Sequence, residues 1–326
     1  MSTIDHCLDQ HYLDLFWWFV YERHLIWKRR VALGIPPPWT NDPILQHERF
    51  TNVYRELDPG TQYVINHILE VDAPRPDKLF NVMLYRLMGR SETHAALGFE
   101  FLATFDPSAM ERSLKSLRGE GRPPFTGAYM VSAYSSMGSS DKIENIARLF
   151  AALHADFAHF FARVEHCPTA ADVHSTLSSA YGFGNFLAYQ VLVDLLYPLR
   201  IYGHKSLLPF SHEDWASPGP GAQRGIKMLL APQSTRQSLD VMRLLRDRQQ
   251  TEFERLGLDF PYLEDGDGRP IKISLANIQN CLCEFHKYIK IRDGTGRGRR
   301  KFAASSGEKP LSQARLALDD NQRMTR

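Results

Sequence analysis

Apolar residues recur along this chain at helical spacing with few interruptions. Between residues 9 and 30 they fall at Leu13, Phe16, Trp17, Val20, Tyr21, Leu25 and Trp27 with charges between them, which predicts one long amphipathic helix. Gly34 and the run Pro36-Pro37-Pro38 end it. Asp42-Pro43 predicts the next start, with aspartate as N-cap and proline at the first helical position. Helical periods return near 61–69, 77–88, 108–117, 142–164, 169–178, 185–196, 222–230, 238–256 and 275–291, and no convincing alternating run predicts a strand. Loops rich in proline and glycine, 119–127 and 203–221, separate the helical blocks, and no internal repeat is visible. The expectation is an all-α fold, roughly ten helices in two lobes around a cleft. Residues 9–301 read as a single helical domain with a basic segment at 287–301, and residues 302–326 as a disordered tail.

Composition narrows this only a little. The 326 residues carry 39 Lys and Arg against 37 Asp and Glu, so the overall charge is uninformative, but its distribution is not. Residues 287–301, KYIKIRDGTGRGRRK, hold seven basic residues and one acidic, and Arg23, His24, Lys28, Arg29 and Arg30 cluster at the end of the first helix. Local basic patches in a near-neutral protein suit a nucleic-acid face, although solvated helix ends look alike. Cys7, Cys167, Cys281 and Cys283 fit neither a disulfide framework nor a metal-binding spacing. With no signal region and no apolar run of ~18 residues, the expectation is a reduced intracellular protein without a membrane span, bacterial cytoplasm or eukaryotic nucleus depending on its host.

The most informative stretch is Gly182-Phe183-Gly184 followed by Ala188, a glycine–apolar–glycine spacing that lets backbone N–H groups approach a ligand at a helix start. It predicts a helix-hairpin-helix clamp on a DNA phosphate through Gly182 and Gly184; the plainer alternative is a helix–helix turn with a glycine C-cap. Further along the same helix, Gln190, Asp194 and Tyr197 share one face amid apolar neighbours. A carboxylate there must be paired, so Asp194 is either half of an ion pair with an arginine or a base facing the cleft. Asn52, Arg55 and Glu56 are expected on one side of a helix, Asn81, Tyr85 and Arg86 on another, and Asn280, Glu284 and Lys287 on one face of the last. Asparagine suits base edges and arginine suits phosphates. The glycines and prolines before Arg224 suggest a second anion site, and Arg297, Arg299 and Arg300 a sequence-independent contact with the DNA backbone. There is no phosphate-binding G-x-x-x-x-G-K-[ST] loop and no histidine spacing for a metal, and no cofactor is expected.

Seven blocks then acquire a common meaning: 21–29 (YERHLIWKR), 38–45 (PWTNDPIL), 50–58 (FTNVYRELD), 127–130 (GAYM), 182–190 (GFGNFLAYQ) with Asp194, 219–222 (GPGA) and 279–288 (QNCLCEFHKY). In this order, over about residues 12 to 300, they resemble the alpha-glutamyl/putrescinyl thymine pyrophosphorylases, or amino-acid:DNA transferases, whose helical domain is shared with 5-hydroxymethyluracil DNA kinases. The resemblance implies a helix-hairpin-helix DNA-glycosylase-like fold. It also implies displacement of (pyro)phosphate from phosphorylated 5-hydroxymethyluracil in DNA by an amino acid or polyamine. For that chemistry the candidates are Asp194 first and Glu284 second as the carboxylate. Arg23, Arg29, Arg55, Arg86 and Arg224 are the candidate cations for the departing phosphate, Trp39 and Tyr129 the stacking surfaces for an extruded base, and Asn52, Asn81, Gln190 and Lys287 further candidate substrate contacts. The rival expectations are a non-catalytic DNA-binding module partnering a DNA kinase or base dioxygenase, and a glycosylase. For a glycosylase, Asp214 lies near the expected place but lacks the expected surroundings.

Overall fold

The computed structural model describes residues 7–298 and 301–302. In chain order the helices are α1 (Gln10–Trp27), α2 (Pro43–His47), α3 (Pro59–Val64), α4 (Arg75–Met88), α5 (Ser91–Leu97), α6 (Pro107–Gly119), α7 (Lys142–Ala155), α8 (Phe157–Glu165), α9 (Ala170–Ser179), α10 (Asn185–Leu195), α11 (Pro220–Leu229), α12 (Ser238–Arg255) and α13 (Leu275–Arg292). Strands β1 (Leu263–Glu264) and β2 (Pro270–Ile271) pair antiparallel. The class is therefore all-α, as the apolar period predicts. The hairpin of β1 and β2 is too short for alternation to reveal it. Its turn is held by Asp265, whose carboxylate accepts from the N–H groups of Asp267 and Arg269 at 2.9 Å each. The described residues include no helix long and apolar enough to cross a membrane. The expected tail beyond Phe302 lies outside the described residues.

The chain forms two compact units, the first from residues up to Asp58 together with those from Pro218 onward, the second from Pro59 to Ser217. In the first, α1 is buried over most of its girth: Phe19, His24 and Ile26 join the predicted stripe inside. Phe16 meets Phe285 of α13 edge-on at 5.5 Å, and Trp17 meets Phe253 of α12 at 4.9 Å. Helices α11 and α13 lie so close that a Cβ on Gly225 would sit 2.3 Å from the carbonyl oxygen of Leu282. Asp42 caps α2 as predicted, its carboxylate accepting the N–H of Leu45 at 2.7 Å. One expectation fails here. Residues 50–58 do not form a helix but a loop with a single 3-10 turn at Arg55–Leu57. The reason is local: Asn52 donates to the Leu57 carbonyl at 2.8 Å, and Asp58 accepts the Asn52 N–H at 2.9 Å, so side chains take the bonds a helix would need.

The second unit is organised on Phe80 of α4, which packs edge-on against Phe105, Phe150 and Phe157 at 4.9, 5.5 and 5.1 Å. The helix expected over 142–164 is broken at Asp156, where the apolar phase restarts with Phe157, Phe160 and Phe161 buried on α8. Helix α5 was not foreseeable from apolar period because its buried residues, Thr93 and His94, are polar. Helices α9 and α10 are joined by residues 180–184. Gly182 takes φ 88°, Phe183 between the glycines is fully buried, and Gly184 precedes the first turn of α10.

Candidate functional sites

In the first unit the residues expected to be polar and functional converge. Asn280, Glu284 and Lys287 share the predicted face of α13 and meet the 49–52 backbone. Glu284 accepts the Thr51 N–H at 3.2 Å, Asn280 donates to the Thr51 hydroxyl at 3.0 Å, and Lys287 donates to the Arg49 carbonyl at 3.2 Å. The Lys287 ammonium also lies 4.3 Å over the Phe50 ring and 3.4 Å from Glu284. One turn earlier on α13, Asn277 accepts the Arg55 N–H at 3.0 Å and donates to Glu56 at 3.3 Å. Asn52 is spent on closing its own turn. Arg23 is 4% exposed and donates to the Cys281 sulfur at 3.1 Å and to the Asn52 carbonyl at 3.4 Å, while its Nε and Nη1 have no hydrogen-bond partner.

Charge is costly in this cluster of side chains. Burial pushes the Asp58 carboxyl up to about 6, a rise that the Asn52 N–H, Arg55 and Arg23 oppose. Burial also raises Glu56 above the ordinary carboxylate range, against the pull of Asn277 and Arg55. Asp58 sits at the end of a recognisable block, but only the closure of the loop marks it as chemically distinct. Cys283 is not an activated thiol: burial and Glu284 push it up to about 11, and Gly221 leaves the space its sulfur fills. Arg29 donates to the Trp39 carbonyl, Trp39 is half-buried, and Arg224 and Arg297 are exposed. Arg299 and Arg300 lie outside the described residues.

The second unit holds the remaining candidates. Asp194 is fully buried and accepts from both Nε and Nη2 of Arg86, whose side chain is 13% exposed. Burial works against the Arg86 charge, but the Asp194 carboxylate outweighs it and holds the guanidinium above its ordinary range. Of the two readings of Asp194 drawn from the sequence, this geometry is that of the ion pair. A carboxylate with both oxygens committed to one guanidinium and no contact with solvent is poorly placed to take a proton from a substrate. The Asn81 amide is likewise spent inside, donating to the Asp77 and Glu100 carbonyls at 2.8 and 2.7 Å and accepting the Glu100 N–H at 2.9 Å. Tyr129 donates to the Arg86 carbonyl and Gln190 is half-buried. Asp214 is exposed and accepts the Ser211 N–H at 2.8 Å, closing a turn.

The two glycines of the 180–184 hairpin differ in what they require. A Cβ on Gly182 would meet Leu149 at 2.6 Å in a backbone conformation that suits glycine. At Gly184, φ is −54°, a Cβ would meet nothing within 4 Å, and no side chain caps α10. Packing explains the first glycine and leaves the second unexplained. Among the described residues no cluster of three or more His, Cys, Asp or Glu residues is arranged to hold a metal ion.

The sequence profile of one family, described as "5-hmdU DNA kinase, helical domain", matches residues 10–298. The chain belongs to this family. It is also 31% identical over 321 residues to a protein of Bacillus phage SP10 named "5-hmdU DNA kinase". That match takes in 94% of this chain and 49% of the phage protein, so the chain spans about half the length of its relative. No solved structure matches. The region shared with the helical-domain family contains both the Arg23–Asp58–Glu284 cluster and the glycine hairpin.

Proposed function

We propose that this chain modifies thymine-derived bases in DNA, displacing phosphate or pyrophosphate from a phosphorylated 5-hydroxymethyluracil with an amino acid or polyamine. The observation that carries the reading is the polar cluster of the first unit, where Asn280, Glu284 and Lys287 of α13 converge on the 49–52 segment and Arg23 and Asp58 meet the backbone of Asn52. In this reading Asp58 takes a proton from the incoming amine, whose nitrogen bonds to the C5 methylene as the bond from that carbon to the phosphate oxygen breaks. Arg55 and Lys287 offset the charge gathering on the departing phosphate. Glu284, tied to Thr51 and Lys287, positions the latter. The setting is wherever DNA resides in the cell.

The hairpin supports the DNA-binding half of the reading. An uncapped helix start and a glycine with empty space where a side chain would be suit a phosphate oxygen. Gly184→Ala should cost ~1 kcal/mol or less of stability, because alanine is a poorer N-cap than glycine. It should weaken binding to all DNA sequences about tenfold or more, because a charge-assisted hydrogen bond contributes ~1.5–3 kcal/mol and a backbone contact carries no base information. Fluorescence anisotropy on several duplexes checks this, and a folded variant with unaltered affinity counts against the clamp.

A second reading draws on the family match, whose description is of the helical domain of a DNA kinase: a DNA-binding module serving a DNA kinase or base dioxygenase. Nucleoside mass spectrometry separates the two. The protein is incubated with phosphorylated 5-hydroxymethyluracil DNA and a mixture of amino acids and polyamines. A new adducted nucleoside with loss of phosphate supports the transferase, and unchanged nucleosides with intact DNA binding support the module.

A further inference from the structure

Seven large apolar residues stand exposed among the described residues; two of them, Tyr181 and Phe186, flank the glycine hairpin at 55 and 48% exposure, and a third, Met130 at 93%, follows Tyr129 in the chain. Solvent makes such a grouping unfavourable unless something covers it. Tyr181 enters the hairpin, and Phe186 leaves it in the first turn of α10. The Phe186 ring packs edge-on against Tyr129 at 5.4 Å, and Tyr129 is anchored through its hydroxyl to the Arg86 carbonyl. Tyr181 lies edge-on to Tyr134 at 6.0 Å and hydrogen-bonds Ser136, while Tyr134 donates to the Gly182 carbonyl at 3.1 Å. The rings are therefore exposed yet held.

We infer that Tyr181, Phe186 and Met130 form an apolar wedge that presses against the bases of DNA whose backbone lies on the hairpin. This rests on the DNA-binding reading above and adds what the protein does to the duplex once there. The surroundings favour nucleic acid over a protein partner as the occupant. Exposed Arg163 bonds the Ser179 hydroxyl at 3.3 Å, two residues before Tyr181. Exposed Arg148, bonded to the Met137 carbonyl at 2.8 Å and 3.9 Å from Glu144, lies at the turn whose Ser136 bonds Tyr181. Cations near an uncapped helix start suit phosphates, and exposed rings near the same hairpin suit the π-faces of the attached bases. Inserting an apolar side chain unstacks a base step and kinks the duplex, which eases extrusion of a base for chemistry.

The test uses the full chain and duplexes carrying 2-aminopurine at successive positions, whose fluorescence rises on unstacking. Wild type should raise the signal at one or two adjacent positions. Phe186→Ala and Tyr181→Ala should abolish that rise and weaken binding by roughly 5- to 150-fold each, the range expected for a lost base–aromatic stack. Phe186→Trp should retain the rise. The slope of log affinity against log salt should stay unchanged, because no phosphate contact is removed. All the substituted side chains are exposed, so thermal melting should not move. Wild type that binds DNA without any rise, or alanine variants that bind and unstack like wild type, would overturn the wedge and leave the backbone clamp standing. A wild type with no affinity for DNA would overturn both.

Discussion

Asp194→Asn should destabilise the protein by about 3–5 kcal/mol, the cost of leaving one partner of a buried ion pair uncompensated. Asp194 has no solvent exposure and both of its oxygens face Arg86, so an amide in its place can accept only one of the two guanidinium hydrogen bonds. The positive charge of Arg86 would then remain in a poorly solvated place without its counter-ion. Removing the charges together should behave differently. Arg86→Met with Asp194→Leu replaces the pair by apolar side chains of similar volume and should recover most of the loss. Urea unfolding of both variants and wild type measures this directly. An Asp194→Asn protein as stable as wild type would return Asp194 to consideration as a substrate group, and single-turnover kinetics on the same sample would decide that.

Local chemistry explains which parts of this molecule could be read in advance. The caps and breaks that depend on neighbouring residues were legible: Asp42 before Pro43, the paired glycines ahead of α10, and the single face of α13 that presents Asn280, Glu284 and Lys287. The pairing of Asp194 was legible only as a need, since its partner lies 108 positions away in the chain. The composition of the 50–58 segment permits a helix, yet it forms a loop with one 3-10 turn. What decides its shape is the bond from Asn52 to Leu57 and the contact between Arg55 and Asn277, which are 222 residues apart. The chemical distinctiveness of Asp58 follows from that closure. A periodic pattern can show which face of a helix is apolar, but it carries no signal for a carboxylate half-buried where a loop folds around it.

That carboxylate gives the second large effect. With Asp58 raised to about 6, it is mostly neutral in mildly acid solution and ionised near neutrality, which suits a base working at about pH 7. If it accepts the proton of the incoming amine, the rate of base modification should climb through about pH 6 and level off above it. Asp58→Asn should lower that rate by roughly two to four orders of magnitude, with DNA affinity nearly intact, and should abolish the climb. Glu284→Gln keeps an oxygen for the Thr51 N–H but removes the charge beside Lys287. It should lower the rate less and leave the inflection near its original pH. The same shift has a stability signature of defined sign. A carboxyl whose folded pKa exceeds its unfolded value near 3.8 contributes stability that is present below that value and lost as pH rises through about 6. Asp58→Asn should therefore flatten the fall in stability between about pH 4 and pH 6, as read from denaturant midpoints across that window. A variant that keeps both the wild-type rate and the inflection near pH 6 would remove Asp58 from the chemistry. A variant that loses the stability signature but not the rate would make it a buried structural acid.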